Sequence, residues 1–149
     1  MNTDTEIVLR LLLAVLLSGL VGLEREAKGR AAGFRTHILV CLGSTLIMMT
    51  GIFMAEHYRG SGMDVDPSRL AAQVVSGIGF LGAGTIIQFR DSVRGLTTAA
   101  SVWAASGVGL AVGAGFYIGA CATTVIVLVV LHVLHDFESR VSAKIKPPQ

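Results

Sequence analysis

DPSRLAAQVVSGIGFLGAGTIIQFR, residues 66–90, is the stretch that decides the fold. Asp66 has the side chain of a helix N-cap, and Pro67 stands where a first helical turn tolerates proline. From Pro67 onward roughly 23 residues run with Arg69 as their one charge, about 34 Å at helical rise, before Arg90 and Asp91 close the run. It reads as a membrane span. Its centre carries Gly77, Gly79, Gly82 and Gly84, which at about 100° per residue point to different sides of a helix. Lipid gives no reason to keep glycine, so two readings are open. Either neighbouring helices pack against this rod on all sides, or the rod unwinds to present carbonyls in a protected cation site.

Composition extends the membrane reading to the whole chain. Of 149 residues, 52% are hydrophobic and only 15% charged, which is too apolar for an ordinary soluble domain. The 18 glycines follow no collagen-like period and are read as helix contacts. The formal net charge of +2 argues for no nucleic-acid partner, because the basic residues lie in short blocks between apolar runs. Cys41 and Cys121 both fall in apolar runs and are expected as free, buried thiols. The apolar residues 11–23 follow acidic Asp4 and Glu6 and precede a basic block, the reverse of a secretory signal, so an uncleaved first span is expected.

Five apolar runs can be marked, at 7–23, 36–55, 67–89, 97–113 and 116–134. The fold class expected is all-α, a polytopic membrane bundle of about five helices filling residues 1–138, with a polar tail at 139–149. Arg25, Lys28, Arg30, Arg35, Arg90, Arg94, Arg140, Lys144 and Lys146 fall on one side of such a bundle and Arg10, Arg59 and Arg69 on the other, nine against three. Positive charge stays in the cytoplasm. That places the N-terminus outside and the C-terminus inside.

Candidate residues fall into three groups. In the fourth run Thr97, Ser101, Ala105, Gly109 and Gly113 recur every fourth residue and form a ridge for close helix approach. At the first basic turn Glu24, Arg25, Glu26, Arg30, Arg35, Thr36 and His37 crowd the membrane boundary beside Thr97 and Thr98. So many charges of both signs need each other or a ligand, and a structural clamp and a binding site are both open. On the third run Arg69, Gln73 and Ser76 share a face, and Gln73 is expected to hydrogen-bond across to another helix or to line a polar pocket. Asp66 and Arg69 are expected as an N-cap beside an exposed ion pair.

Several motifs carry no chemistry. Gly77, Gly79 and Gly82 spell G-x-G-x-x-G, but a dinucleotide site needs a preceding strand and a βαβ unit. His132, His135 and Asp136 have metal-ligand spacing without a fourth ligand, so no metal site and no cofactor are expected. Trp103 is expected as a packing residue. No catalytic motif is present, and no enzyme is expected.

The blocks GLEREAKGRAAGFRTH at 22–37, DPSRLAAQVVSGIGFLGAGTI at 66–86 and VRGLTTAASVWAASGVGLAVGAG at 93–115 resemble the MgtC/SapB family of bacterial inner-membrane proteins. The resemblance implies a multi-pass inner-membrane protein linked to magnesium limitation and, in pathogens, to survival inside host cells. It implies a regulator of membrane physiology rather than a carrier of magnesium. By motif it carries over Glu24, Arg25, Glu26, Arg35, Thr36, His37, Asp66, Arg69, Gln73, Thr97 and Thr98, none with a catalytic role. Members often continue into a soluble C-terminal domain, and this chain is expected to be a short form without one. Ala31 replaces a proline common in the family, which implies a less rigid turn. Three functions follow as expectations. They are a regulator acting by helix contact with a second copy or another integral protein, a cation channel or carrier centred on the third run, and a lipid or small-anion binder using the first basic turn.

Overall fold

In this computed structural model the structure describes residues 4–90 and 92–134. Among them run helices α1 (Asp4–Ala27), α2 (Phe34–His57), α3 (Pro67–Ala83), α4 (Leu96–Gly113) and α5 (Tyr117–Val129), the last continued by a π-helical turn, Val130–Leu134. Strands β1 (Ile87–Phe89) and β2 (Ser92–Arg94) form a two-stranded antiparallel ribbon between α3 and α4. The fold is all-α apart from that ribbon. Helices α1, α2 and α4 are long and apolar enough to cross a membrane, and α5 with its extension is a shorter apolar helix. His135, Asp136 and the tail 139–149 lie outside the described residues.

The centre of the bundle is α4, which packs against α1, α2, α3 and α5. Ala14, Leu17, Cys41, Val108, Val112 and Ala120 form the main core between four of these helices. Buried hydroxyls inside it turn back on their own helices, which satisfies them without water. Thr45 Oγ1 donates to Cys41 O at 2.8 Å and approaches Gly109 O at 3.0 Å, and Thr124 Oγ1 donates to Ala120 O at 2.9 Å.

The ridge of α4 is where the expectation and the fold agree. Ser101, Ala105, Gly109 and Gly113 are all buried. A side-chain carbon at Gly113 would stand 2.6 Å from Thr45 O, and one at Gly109 would strike Cys41 O and Ser44. Glycine lets the backbones of α2 and α4 touch, and van der Waals contact between backbones replaces the hydrophobic force that lipid does not supply. Thr97, expected at the head of the ridge, is exposed instead. The helix turns it outward while Thr98 points in.

The third run departs most from expectation. It is helical only to Ala83 and does not continue to Phe89. Its last turn tightens, with Thr85 N and Ile86 N bonding three residues back to Gly82 O and Ala83 O, each at 3.0 Å. The β-branched Thr85, Ile86 and Ile87 then favour extended backbone. Gly84 is the C-cap rather than a packing residue. The ribbon closes back at Gly95, whose φ of 91° and contact with Thr85 O admit no side chain.

Nor is α3 the enclosed rod that its glycines suggested. It lies at the edge of the bundle against α2 and α4, with only Ile78 and Gly82 buried. Gly82 faces Ala99 of α4, whereas a side chain at Gly77 or Gly79 would meet nothing within 4 Å. The helix is continuous through all three, so no carbonyls are freed there for a cation. Two smaller expectations also fail. Cys121 is exposed while Cys41 is buried, and Trp103 is 54% exposed rather than packed.

Candidate functional site

The expected polar network divides into a buried clamp, an exposed pocket and a separate cap at the far end of the bundle. The clamp forms where α1 ends beside the start of α4. Arg25, only 3% exposed, donates from Nη2 to Thr98 Oγ1 at 3.1 Å. Glu24 stands 3.9 Å from Arg25 Nη1 and 2.9 Å from Lys28 Nζ, although neither approach is aligned as a hydrogen bond and Arg25 Nε has no acceptor. Lys28 Nζ also donates to Leu131 O at 3.2 Å, tying the π-helical turn to α1.

His37 completes the clamp from α2. Fully buried, its Nδ1 pairs with Gly33 O at 2.9 Å and its Nε2 with Ser101 Oγ at 3.1 Å. Gly33 O can only accept, so in the neutral ring Nδ1 carries the proton and Nε2 accepts from the Ser101 hydroxyl, whose oxygen also lies 2.8 Å from Thr98 O. Three helices are thereby joined through two polar contacts on consecutive faces of α4. An apolar turn at this depth needs such pairing because unsatisfied groups are costly away from water.

The pocket lies on the other side of the α1–α2 loop. Glu26, Arg30, Ala31, Gly33, Arg35 and Thr36 line a cavity of about 310 Å³. Glu26 Oε2 accepts the N–H of Phe34 at 2.8 Å and so caps α2 from a distance, because the N-cap residue Gly33 has no side chain to do it. Arg30 and Arg35 are exposed and form no ion pair among the described residues. Glu26, Arg35 and Thr36 therefore belong to a solvent-facing pocket, not to the network around Arg25.

At the far end Asp66 caps α3, accepting from Ser68 N at 2.9 Å and Ser68 Oγ at 2.8 Å. Those two bonds, the hydroxyl's first, hold its carboxyl below the ordinary range, and Arg69 adds only its charge. The cap forms as expected, and no Asp66–Arg69 ion pair stands beside it among the described residues. Gln73 is exposed and makes no hydrogen bond among the described residues. It lines a long apolar groove between α2 and α3 together with Leu39, Gly43, Ile47, Gly77 and Leu81. Neither a cross-helix bond nor a polar pocket forms around it.

One further polar contact has no counterpart in the sequence reading. Arg10 ion-pairs with Glu6, donates from Nη1 to Gly113 O at 2.6 Å and lies 5.7 Å from the centre of the Tyr117 ring. A cation here meets the partial negative charge at the C-terminal end of α4. Spacing alone gives no sign of it, since Arg10 and Gly113 are 103 residues apart. The contact of Lys28 with Leu131 O spans 103 residues as well and is equally invisible to spacing.

The MgtC family model matches residues 11–140. The "Putative magnesium transporter YhiD" of Escherichia coli is 40% identical over 140 residues, covering 93% of this chain and 65% of that protein. Protein SapB of Bacillus subtilis is 41% identical over 128 residues, 85% of this chain and 55% of its own length. Protein MgtC of Salmonella typhimurium is 39% identical over 135 residues, 91% of this chain and 55% of its own length. The chain thus spans between about half and two thirds of the length of these curated relatives. No solved structure matches it.

Proposed function

The chain belongs to the MgtC family, and we propose from that membership that it is a multi-pass protein of the bacterial inner membrane, a non-enzymatic regulator linked to magnesium limitation. Its N-terminus lies outside and its basic α1–α2 loop faces the cytoplasm, in keeping with the nine-to-three division of Lys and Arg. It acts by helix contact with a second copy or another integral membrane protein. One observation carries this reading. Ala72, Ser76, Gly79 and Ala83 are all exposed on α3, and at about 100° per residue they share an arc of roughly 60°, opposite the face that lines the α2–α3 groove except where Ala83 reaches the neighbouring cavity.

That outward ridge differs from the ridge of α4, which is used up inside the chain. Small residues on the outer face of a helix are what a second helix needs for close approach in lipid. Gly79 has open space before it, so leucine there leaves the fold intact. Ser76→Leu with Gly79→Leu should lower energy transfer between labelled copies, or between the chain and its partner, in bilayers. Growth of the host at low magnesium should fail with it. Unchanged association together with unchanged growth rejects the proposal.

The second reading, a cation channel or carrier, draws on the printed name of the Escherichia coli relative. The continuous helix through the glycines of α3 gives it no carbonyl-lined site at that depth. Sealed liposomes holding the purified chain decide it, since magnesium or monovalent flux above that of empty liposomes would restore the transport reading.

A further inference from the structure

The pocket at the start of α2 is one end of a longer feature. Ala31 and Thr36 line it and also line a second cavity of about 450 Å³, whose other walls include Phe80, Leu81, Gly84 and Val102. Leu81 in turn is shared with the α2–α3 groove of about 630 Å³. The three spaces therefore adjoin in order. Two arginines without an ion pair among the described residues stand at one end, a mixed wall lies in the middle, and an apolar trough runs on to Ile47 and Leu70. From Thr36 to Ile47 α2 rises about 16 Å, close to the length of a phospholipid acyl chain. Gly43 and Gly77 on opposite walls have nothing within 4 Å of a would-be side chain, which keeps the trough open.

Charge sorts the occupant further. Arg30 and Arg35 supply two positive charges. The missing side-chain cap at Gly33 leaves the N–H groups of Arg35 and Thr36 without acceptors inside the helix. Glu26 stands on the same wall, fixed by the Phe34 N–H, and subtracts one charge. A pocket of two cations and one carboxylate suits a group carrying a single negative charge, such as a phosphodiester, better than a doubly charged free phosphate. We propose that this continuous groove holds an anionic phospholipid. Its headgroup phosphate rests between Arg30, Arg35 and Thr36, and one acyl chain lies between α2 and α3.

The arginines that hold the headgroup stand apart from Ser76 and Gly79 of the α3 ridge, although Ala83 lines the middle cavity. Loss of lipid retention and loss of helix association are thus separate outcomes. The full chain is reconstituted in nanodiscs of phosphatidylcholine and phosphatidylglycerol at about four to one and released for native mass spectrometry, so that retained lipid reflects headgroup preference. One phosphatidylglycerol per chain should be kept in excess of its share. Arg30→Gln with Arg35→Gln should lower that retention roughly tenfold or more, as two basic residues at a lipid surface imply. Arg30→Lys with Arg35→Lys should keep most of it, and Gly77→Leu, which fills the trough, should reduce it with both arginines in place. Equal retention of phosphatidylcholine, indifference to the double glutamine change, or displacement by inorganic phosphate alone overturns the proposal. Because Arg30 and Arg35 are exposed, an unchanged circular dichroism spectrum is expected for the variants.

Discussion

Gly109 on α4 rests directly against the carbonyl of Cys41 on α2, with no room between them for even one side-chain carbon. The contact fixes how closely the two central helices approach. Gly109→Leu forces them apart and should cost about 1–3 kcal/mol or more through overpacking. A lowered midpoint in thermal or denaturant unfolding in detergent checks this. The same substitution at Gly107, where nothing lies within 4 Å, should leave the midpoint near that of the parent chain.

Thr98 carries the hydrogen bond of the buried Arg25 guanidinium, whose Nε already lacks an acceptor. Thr98→Val keeps the shape and removes the oxygen. Leaving a second donor unpaired in so buried a place should cost about 1–3 kcal/mol. Thr97→Val changes an exposed neighbour and should cost far less, so the difference between the two midpoints is the quantity to measure.

Arg10 joins the first helix to the last carbonyls of α4. Arg10→Leu removes the cation from Gly113 O, and the loss of a charged hydrogen bond should destabilise the chain by about 1.5–3 kcal/mol. Hydrogen exchange should then rise in the last turn of α4 and the first turn of α5 before it rises elsewhere.

Asp66 gives a pH dependence whose sign is fixed by its cap. Its carboxyl is held below the ordinary range by the Ser68 hydroxyl and N–H. The capping contribution is therefore present above the unfolded carboxyl value of about 3.9 and disappears as pH falls through the lower folded value. The Ser68 amide resonance should titrate with a midpoint below about 3.9. Asp66→Asn should keep a helical start at α3 and abolish that titration.

Much of the architecture was legible because it follows from periodicity and length. The i, i+4 spacing of Ser101, Ala105, Gly109 and Gly113 marked the contact face of α4, and Asp66 with Pro67 marked where α3 begins. The end of α3 was not legible. Ile86, Ile87 and Phe89 continue the apolar run with Gln88 as its one polar break, and so short an apolar stretch does not distinguish a helix from a strand. The placement of the glycines failed for a related reason. Gly77, Gly79 and Gly109 look alike in sequence, yet only the last meets another backbone, because tertiary position and not residue type decides which glycine is covered. The polar cluster at the first basic turn divides in a way its spacing does not reveal. Thr97 and Thr98, or Arg25 and Glu26, are sequence neighbours whose side chains a helix sends about 100° apart, and that angle separates a buried clamp from a wet pocket.

Across its 17 residues α3 buries two, whereas α4 buries nine in 18. An element so lightly anchored has a local opening free energy well below that of the whole bundle. Its amides should therefore exchange with solvent deuterium ahead of those in the clamped core of α1, α2 and α4.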